Sequence, residues 1–377
     1  GIELADSDVE AYLTGLGLEI VERNEEAWTF NVPSWRFDIA IEEDLIEELA
    51  RIYGYDNLPV TEPLSRFSLK PNKEANVGLS ELREQLVAVG YQEVITYSFV
   101  ERQMEILLGT PEEDLLALAN PISQELSVMR TSLWPGLLNT LKHNHHRQQS
   151  RARLFESGLI FNNKNKELKQ IHKVASILWG DQFPEQWGTQ SGEVDFFDIK
   201  GNVEALLGLT LAKADFSFVA ADHPALQSGQ SAQILRDGQA IGWVGALGPN
   251  IQQHIDITGK IYLMELDLNA IMPAQLPVYS ELSRFPLVRR DLAIVVDALQ
   301  ETGAIEALIR QKAGELLLDM VIFDVYQGQN IEKTKKSLAL GLTFQHPSRT
   351  LTDEDINPII DSCINVLEAQ FNAELRM

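Results

Sequence analysis

The sequence predicts a multidomain α+β protein with two unlike sheet domains. Three observations carry this reading. At 377 residues the chain is too long for one ordinary hydrophobic core, so two or three domains are expected. Between residues 73 and 280, strand-like segments follow no regular strand–helix alternation, which points to an antiparallel sheet with helices. Residues 284–377 then run strand, helix, strand, strand, helix and short strand, the β-α-β-β-α-β order of a ferredoxin-like domain.

The elements follow in order. Residues 4–18 read as a helix ending at Gly15 and Gly17, with strands at 18–23 and 27–32 around an acidic turn. Pro33 and Ser34 interrupt the pattern. From Ile41, the apolar residues Leu45, Ile46, Leu49 and Ile52 recur at helical spacing until Gly54, which closes a first module at 1–58. Three prolines in 59–72 mark a linker.

The larger unit, 73–280, opens with a helix at 74–89 stopped by Gly90 and a strand at 93–99. Asn120-Pro121 marks a turn, and 132–148 is helical, with Pro135 tolerable in its first turn. Strands are expected at 153–161, 173–179, 194–199, 232–236, 240–246 and 260–267, with Asp237-Gly238 as a hairpin turn. In the last unit, strands at 291–296, 318–325 and 337–344 join helices at 303–311 and 353–370 and a final short strand within 371–376. Thr352 is the expected cap of the second helix, whose first turn carries Asp353, Glu354 and Asp355.

Charge narrows the function classes. Lys and Arg number 31 against 55 Asp and Glu, a net charge of -24, which argues against binding nucleic acid through a bulk positive field. Residues 1–58 hold 15 acidic and 3 basic residues, so DNA binding there is unattractive, and any nucleic-acid role needs a local basic face. No apolar run is long enough to span a membrane. The single cysteine, Cys363, excludes an internal disulfide and a Cys-based zinc cluster, and its apolar helical setting suits a small buried hydrophobe. A chain starting at Gly1 without a leader-like pattern suggests a processed chain or fragment in a cytosolic setting.

The densest chemical signal lies at Pro33-Ser-Trp-Arg-Phe-Asp38 and the following Glu42-Glu-Asp-Leu-Ile-Glu-Glu48. Asp44, Glu47 and Glu48 fall at i, i+3 and i+4 on one helix face, with Asp38 close upstream. Such crowding suits either a divalent cation or a solvated acidic face, and Glu42 and Glu43 fit the latter. His143, His145 and His146 lie in the basic stretch 142–153, but their i, i+2, i+3 spacing does not converge on one face, so a helix end or subunit contact is expected there rather than zinc. His223, Ser228 and Asp198 supply hydrolase-type ingredients without a nucleophile-elbow motif, and a turn is the better reading.

Several strings in order resemble the bacterial phenylalanyl-tRNA synthetase beta subunit. They are Val32-Pro-Ser-Trp-Arg-Phe-Asp-Ile39, Met129-Arg-Thr-Ser-Leu-Trp-Pro-Gly-Leu-Leu138, Leu154-Phe-Glu-Ser-Gly158, Ile241-Gly-Trp-Val-Gly-Ala-Leu-Gly-Pro249, Ser283-Arg-Phe-Pro286 with Arg289-Arg-Asp-Leu292, Phe323-Asp-Val-Tyr-Gln-Gly328 and Arg349-Thr-Leu-Thr-Asp353. The resemblance covers essentially the whole chain as a C-terminal portion of such a subunit. It implies the end of a B5-like module at 1–58, a class II synthetase-like but inactive core and subunit interface at 73–280, and a ferredoxin-fold anticodon-binding domain at 284–377. It also implies an alpha subunit that handles ATP and phenylalanine in an alpha2-beta2 ligase, tRNA(Phe) as partner, and Mg2+ on Asp38, Asp44, Glu47 and Glu48 at a site shared with alpha.

Glu156, with Arg153 upstream, resembles synthetase motif 2, but no motif 3 arginine segment follows, so this chain is expected to have no catalytic residues of its own. The family's upstream tRNA-binding and editing modules have no counterpart in this sequence, and no editing is expected of it. In the last domain Arg284, Arg289, Arg290, Lys333, Lys335, Lys336 and Arg349 are the candidate tRNA contacts, and Phe285, Phe323, Tyr326 and Phe344 are candidate stacking or core residues. The rivals are a structural adaptor that does not touch RNA and an independent metal-assisted enzyme at the acidic helix.

Overall fold

A computed structural model of the protein describes every residue except 25, 66–73, 165, 166, 191, 280, 329, 330 and 377, with the Lys213 side chain also left out. The chain divides into two units, Gly1–Lys73 and Glu74–Met377. Residues 66–72 of the expected linker lie outside the described residues.

In the first unit, helix α1 (Asp6–Gly15) precedes the hairpin β1 (Glu19–Arg23) and β2 (Trp28–Asn31), followed by α2 (Glu42–Tyr53). The core is small. Leu13, Leu18 and Ile39 are buried, with Val9, Phe30, Val32, Leu45 and Leu49 packed around them. The expected aliphatic stripe of α2 is therefore split, because Ile46 and Ile52 point to solvent. Gly54 ends the helix at φ 96°, a backbone state glycine adopts without steric penalty.

The second unit begins with α3 (Leu79–Ala88), β3 (Gln92–Glu93), β4 (Phe99–Val100), α4 (Arg102–Leu107), β5 (Val128–Met129) and α5 (Trp134–His145). Two long strands, β6 (Arg151–Asn162) and β7 (Lys169–Gly180), are followed by α6 (Phe196–Gly208), β8 (Phe216–Ala220), β9 (Leu226–Arg236), β10 (Gln239–Leu247), α7 (Pro249–Ile255), β11 (Ile261–Asp267) and α8 (Leu268–Ile271). Seven strands form one sheet in the order β3-β6-β7-β11-β10-β9-β8, antiparallel except for the short β3–β6 pair. Both faces are packed. Phe155, Val174 and Leu178 meet α3 and α6 on one side, while Leu154, Ile177 and Trp179 meet α5 and α7 on the other.

The hairpin at Asp237-Gly238 forms as expected, with both residues at positive φ, the geometry whose twist matches paired strands. The strand expected at 194–199 is instead the first turn of α6. Asp195 accepts from the Phe197 and Asp198 amides, and Asp198 reaches back to the Asp195 amide, a capping box that outweighs the apolar run. The strand expected at 93–99 shrinks to two short pieces, because Thr96 between them is pinned to Glu156.

The last 90 residues carry β12 (Val288–Asp297), α9 (Thr302–Ala313), β13 (Leu317–Tyr326), β14 (Lys335–Phe344), α10 (Asp353–Phe371) and β15 (Glu374–Leu375), in the sheet order β13-β14-β12-β15. This is the ferredoxin-like arrangement. Leu292, Ile294, Val296, Leu338, Leu340, Leu342 and Phe344 alternate along β12 and β14 onto one face and are buried with Cys363 of α10. Asp355 holds the start of α10, accepting from the Thr352 amide while Arg349 grips its carboxylate from two sides. Among the described residues, no helix is long and apolar enough to cross a membrane.

Candidate nucleic-acid interface and acidic helix

The ferredoxin-like sheet covers one face with helices, so its alternate residues define the other. Across the strands, Arg289 lies opposite Thr343, Asp291 opposite Gly341, Ala293 opposite Ala339 and Val295 opposite Ser337. On the far side of β14, Val321 faces Gly341, Asp324 faces Ala339 and Tyr326 faces Ser337, with a bulge at Ile322/Asp324 that holds Phe323. The result is a floor of small side chains bordered by two rings. Arg289 lies 5.4 Å from the Phe323 ring centre, and Arg376 lies 5.2 Å from that of Tyr326 while donating to Ser337 Oγ at 3.2 Å. Gly341 makes room for this: a Cβ there would lie 2.6 Å from Arg289 Nη2. An exposed Phe323 ring and a partly exposed Tyr326 ring, with guanidinium groups over a shallow floor, are the chemistry that stacks unpaired bases and meets phosphates.

The seven candidate cations do not form one patch. Arg289 and Lys335 belong to the open face, near opposite ends of the paired register. Arg289 is paired with Asp291 at 2.8 Å, and Lys335 with Glu374 at 2.5 Å, a partner that raises the lysine pKa. Arg290 and Arg349 instead bind Asp353 and Asp355 at the start of α10. Lys336 donates to the Gln300 carbonyl at 2.6 Å, and burial lowers its pKa. Arg284 and Lys333 are exposed and make no ion pair among the described residues. Of the four aromatics, Phe344 is wholly buried, whereas Phe323 is half exposed. Arg376 and Ser337 escaped sequence reasoning. Their signal was the strand alternation that places Ser337 beside Tyr326.

The motif-2-like acid is sealed inside the seven-stranded sheet domain. Glu156 and Arg130 are 3% and 4% exposed and pair at 2.7 Å; Thr96 Oγ1 donates to the second carboxylate oxygen at 2.7 Å. Arg130 Nε also donates to the Leu159 carbonyl at 2.9 Å. Arg153, on the opposite face of β6, donates to the Val89 and Gln182 carbonyls and lies 6.0 Å from the Tyr91 ring centre. Nearby, buried Glu105 accepts from the amide and hydroxyl of Thr131; burial outweighs these bonds and pushes its pKa up to about 7.

The other candidates are engaged structurally. His223 lies between Trp134 and Trp243, accepts from the Ala225 amide, and has its pKa lowered by burial. Asp198 caps α6 and accepts from Gln182 rather than joining His223. His145 packs edge-on against Trp179.

At the acidic helix, Asp44 Oδ2 accepts from the Ala40 and Ile41 amides at 2.7 and 3.0 Å, which holds its pKa below the usual carboxylate range. Arg36 lies 2.7 Å from Asp38 Oδ2 and 2.9 Å from Glu48 Oε1, and these partners raise its pKa. Arg51 meets Glu48 Oε2 at 2.5 Å; Arg51 first and Arg36 second hold the Glu48 pKa low. Glu47 is exposed. Among the described residues, no three metal-ligating side chains converge. As arranged in this chain, the four acids do not fit a resident magnesium ion, which demands near-octahedral oxygen donors.

Three family models match in chain order: "tRNA synthetase B5 domain" over residues 1–55, "Phenylalanyl tRNA synthetase beta chain CLM domain" over 58–268, and "Ferredoxin-fold anticodon binding domain" over 283–376. The fold and its modules thus define a subunit of the aminoacyl-tRNA synthetase class. More particularly, the chain belongs to the phenylalanyl-tRNA synthetase beta subunit family. It is 47% identical over 376 residues to a phenylalanine–tRNA ligase beta subunit of Pseudomonas syringae pv. tomato and 46% identical over 377 residues to that of Nitrosococcus oceani. Each comparison covers 100% of this chain and 47% of the relative, so the chain spans about half the length of the curated relatives it matches. Among solved structures, a Desulfitobacterium hafniense pyrrolysyl tRNA synthetase is 14% identical, with a TM-score of 0.38 over 51% of this chain and 65% of that one.

Proposed function

We propose that this chain is a noncatalytic part of phenylalanine–tRNA ligase that supports the alpha subunit in an alpha2-beta2 assembly and holds an unpaired loop of tRNA(Phe), in the cytoplasm. The observation that carries the RNA role is the open face of the ferredoxin-like sheet, with Phe323 and Tyr326 bordering a floor of Gly341, Ala339 and Ser337. ATP and phenylalanine chemistry belongs to alpha on this reading. Its support is that Glu156 is enclosed with Arg130 and both sheet faces are packed by helices. The contribution to catalysis is orientation, since a tRNA held at a distant loop presents its acceptor end in a fixed geometry. Any magnesium shared with alpha at Asp38, Asp44, Glu47 and Glu48 requires those carboxylates to leave their present partners.

The test is binding of an anticodon stem-loop of tRNA(Phe) to the 377-residue chain, followed by fluorescence anisotropy. Stacking contributes about 1–3 kcal/mol per base, so Tyr326→Ala should weaken binding on the order of tenfold with the fold intact. Unchanged affinity in Tyr326→Ala and Phe323→Ala would refute the role of this face and favour the purely structural adaptor.

A further inference from the structure

The acidic cluster already contains a cation, and it comes from the chain itself. Arg36 bridges two separate stretches: Nε and Nη2 bind Asp38 at 3.1 and 2.7 Å, while Nη2 and Nη1 reach Glu48 at 2.9 and 3.4 Å. Its side chain is 16% exposed and that of Glu48 11%. We propose that Arg36 is the resident counter-ion of this cluster, that it ties the Pro33–Asp38 segment to α2, and that a divalent cation and Arg36 are mutually exclusive on Asp38 and Glu48.

Three features support this. The first is occupancy of the oxygens. Both Asp38 oxygens accept from Arg36, Glu48 Oε2 accepts from Arg36 and Arg51 while Oε1 is ion-paired with Arg36, and one Asp44 oxygen is fixed by two backbone amides. A small hard cation competes directly for those same lone pairs. The second is shape, because a planar guanidinium meets two carboxylates through fixed, diverging donors, which a single ammonium does not reproduce. The third is need. Among the described residues of this unit, the buried apolar side chains are Leu13, Leu18 and Ile39, and a core that small gains much of its order from cross-links between segments. Magnesium could substitute for the charge of Arg36 but not for its reach along the segment.

Hydrogen exchange read by mass spectrometry over residues 38–51 of the full chain, in EDTA and in excess MgCl2, tests the proposal. The wild-type protection should be the same in both solutions. Arg36→Met should speed exchange in this region at least about tenfold, Arg36→Lys should fall between, and magnesium should restore part of the protection only where Arg36 is absent. Faster exchange of the wild type in EDTA would reveal a resident metal and overturn the proposal, as would unchanged protection in Arg36→Met. No magnesium response in Arg36→Met would overturn the competition between the two cations. If Arg36→Met unfolds the region outright, the charge-neutral variant Arg36→Met/Asp38→Asn/Glu48→Gln should recover protection. Failure to recover would assign the loss to packing of the arginine stem and sink the counter-ion role. None of these outcomes bears on RNA binding by the ferredoxin-like sheet.

Discussion

Glu156→Ala should destabilise the sheet domain far more than an average substitution. In the wild type its carboxylate accepts from Arg130 Nη1 at 2.7 Å and from Thr96 Oγ1 at 2.7 Å, with both charged side chains at most 4% exposed. Truncation leaves the Arg130 guanidinium buried, holding only its Leu159 carbonyl bond and a 3.2 Å contact to Thr96 Oγ1. Removing one partner of a buried ion pair costs about 3–5 kcal/mol, because the surviving charge stays out of water without compensation. Replacing both partners with apolar residues of similar volume is often close to neutral, so Arg130→Met/Glu156→Met should recover most of the loss. Urea unfolding followed by circular dichroism, with hydrogen exchange of β6 to isolate this domain, measures the effect. A loss below about 1 kcal/mol for Glu156→Ala would place the pair in the range of exposed salt bridges and refute the reasoning. So would a double variant no better than the single one.

Further expectations follow from the same geometry. Folded Glu105 titrates near pH 7, above its ordinary value, so it binds a proton preferentially in the folded state. The contribution of Glu105 to stability should therefore be full below about pH 4.5, fall as pH rises toward 7 and then level off, by on the order of 3 kcal/mol. Glu105→Gln should flatten that slope in a pH series of urea midpoints, since its amide can satisfy the Thr131 and Thr110 hydroxyls; an unchanged slope would contradict the assignment. Gly180→Ala should lower stability by more than about 1 kcal/mol, because φ is 87° and a Cβ would strike the Ser150 carbonyl oxygen. A neutral thermal melt would count against the close approach. The atoms nearest a Cβ at Gly341 belong to the flexible Arg289 guanidinium, so in Gly341→Ala the melt should move little while stem-loop affinity falls; unchanged affinity would show that Arg289 is not part of the RNA face.

Much of the architecture was legible because it rests on local rules. Asp237-Gly238 specified its hairpin, and the strand–helix order of residues 284–377 specified the ferredoxin-like plan. The strand expected at 194–199 failed on an equally local signal, the Asp195/Asp198 capping box, which an apolar run concealed. Charge counting placed Arg284, Arg289, Arg290, Lys333, Lys335, Lys336 and Arg349 together as one class of residue, since sequence reports composition and not partners.

What the sequence determined by itself, then, is the order of modules, the ferredoxin-like topology and the acidic face of α2, all products of periodicity and short-range geometry. Tertiary structure alone decided which charges remain free. It enclosed Glu156 with Arg130, 26 residues away in the chain, tied Arg290 to Asp353 across 63, and brought Arg36 onto Glu48 across 12. The physical reason is that an ion's availability depends on what desolvates and pairs it, and those neighbours are set by the packing of distant segments.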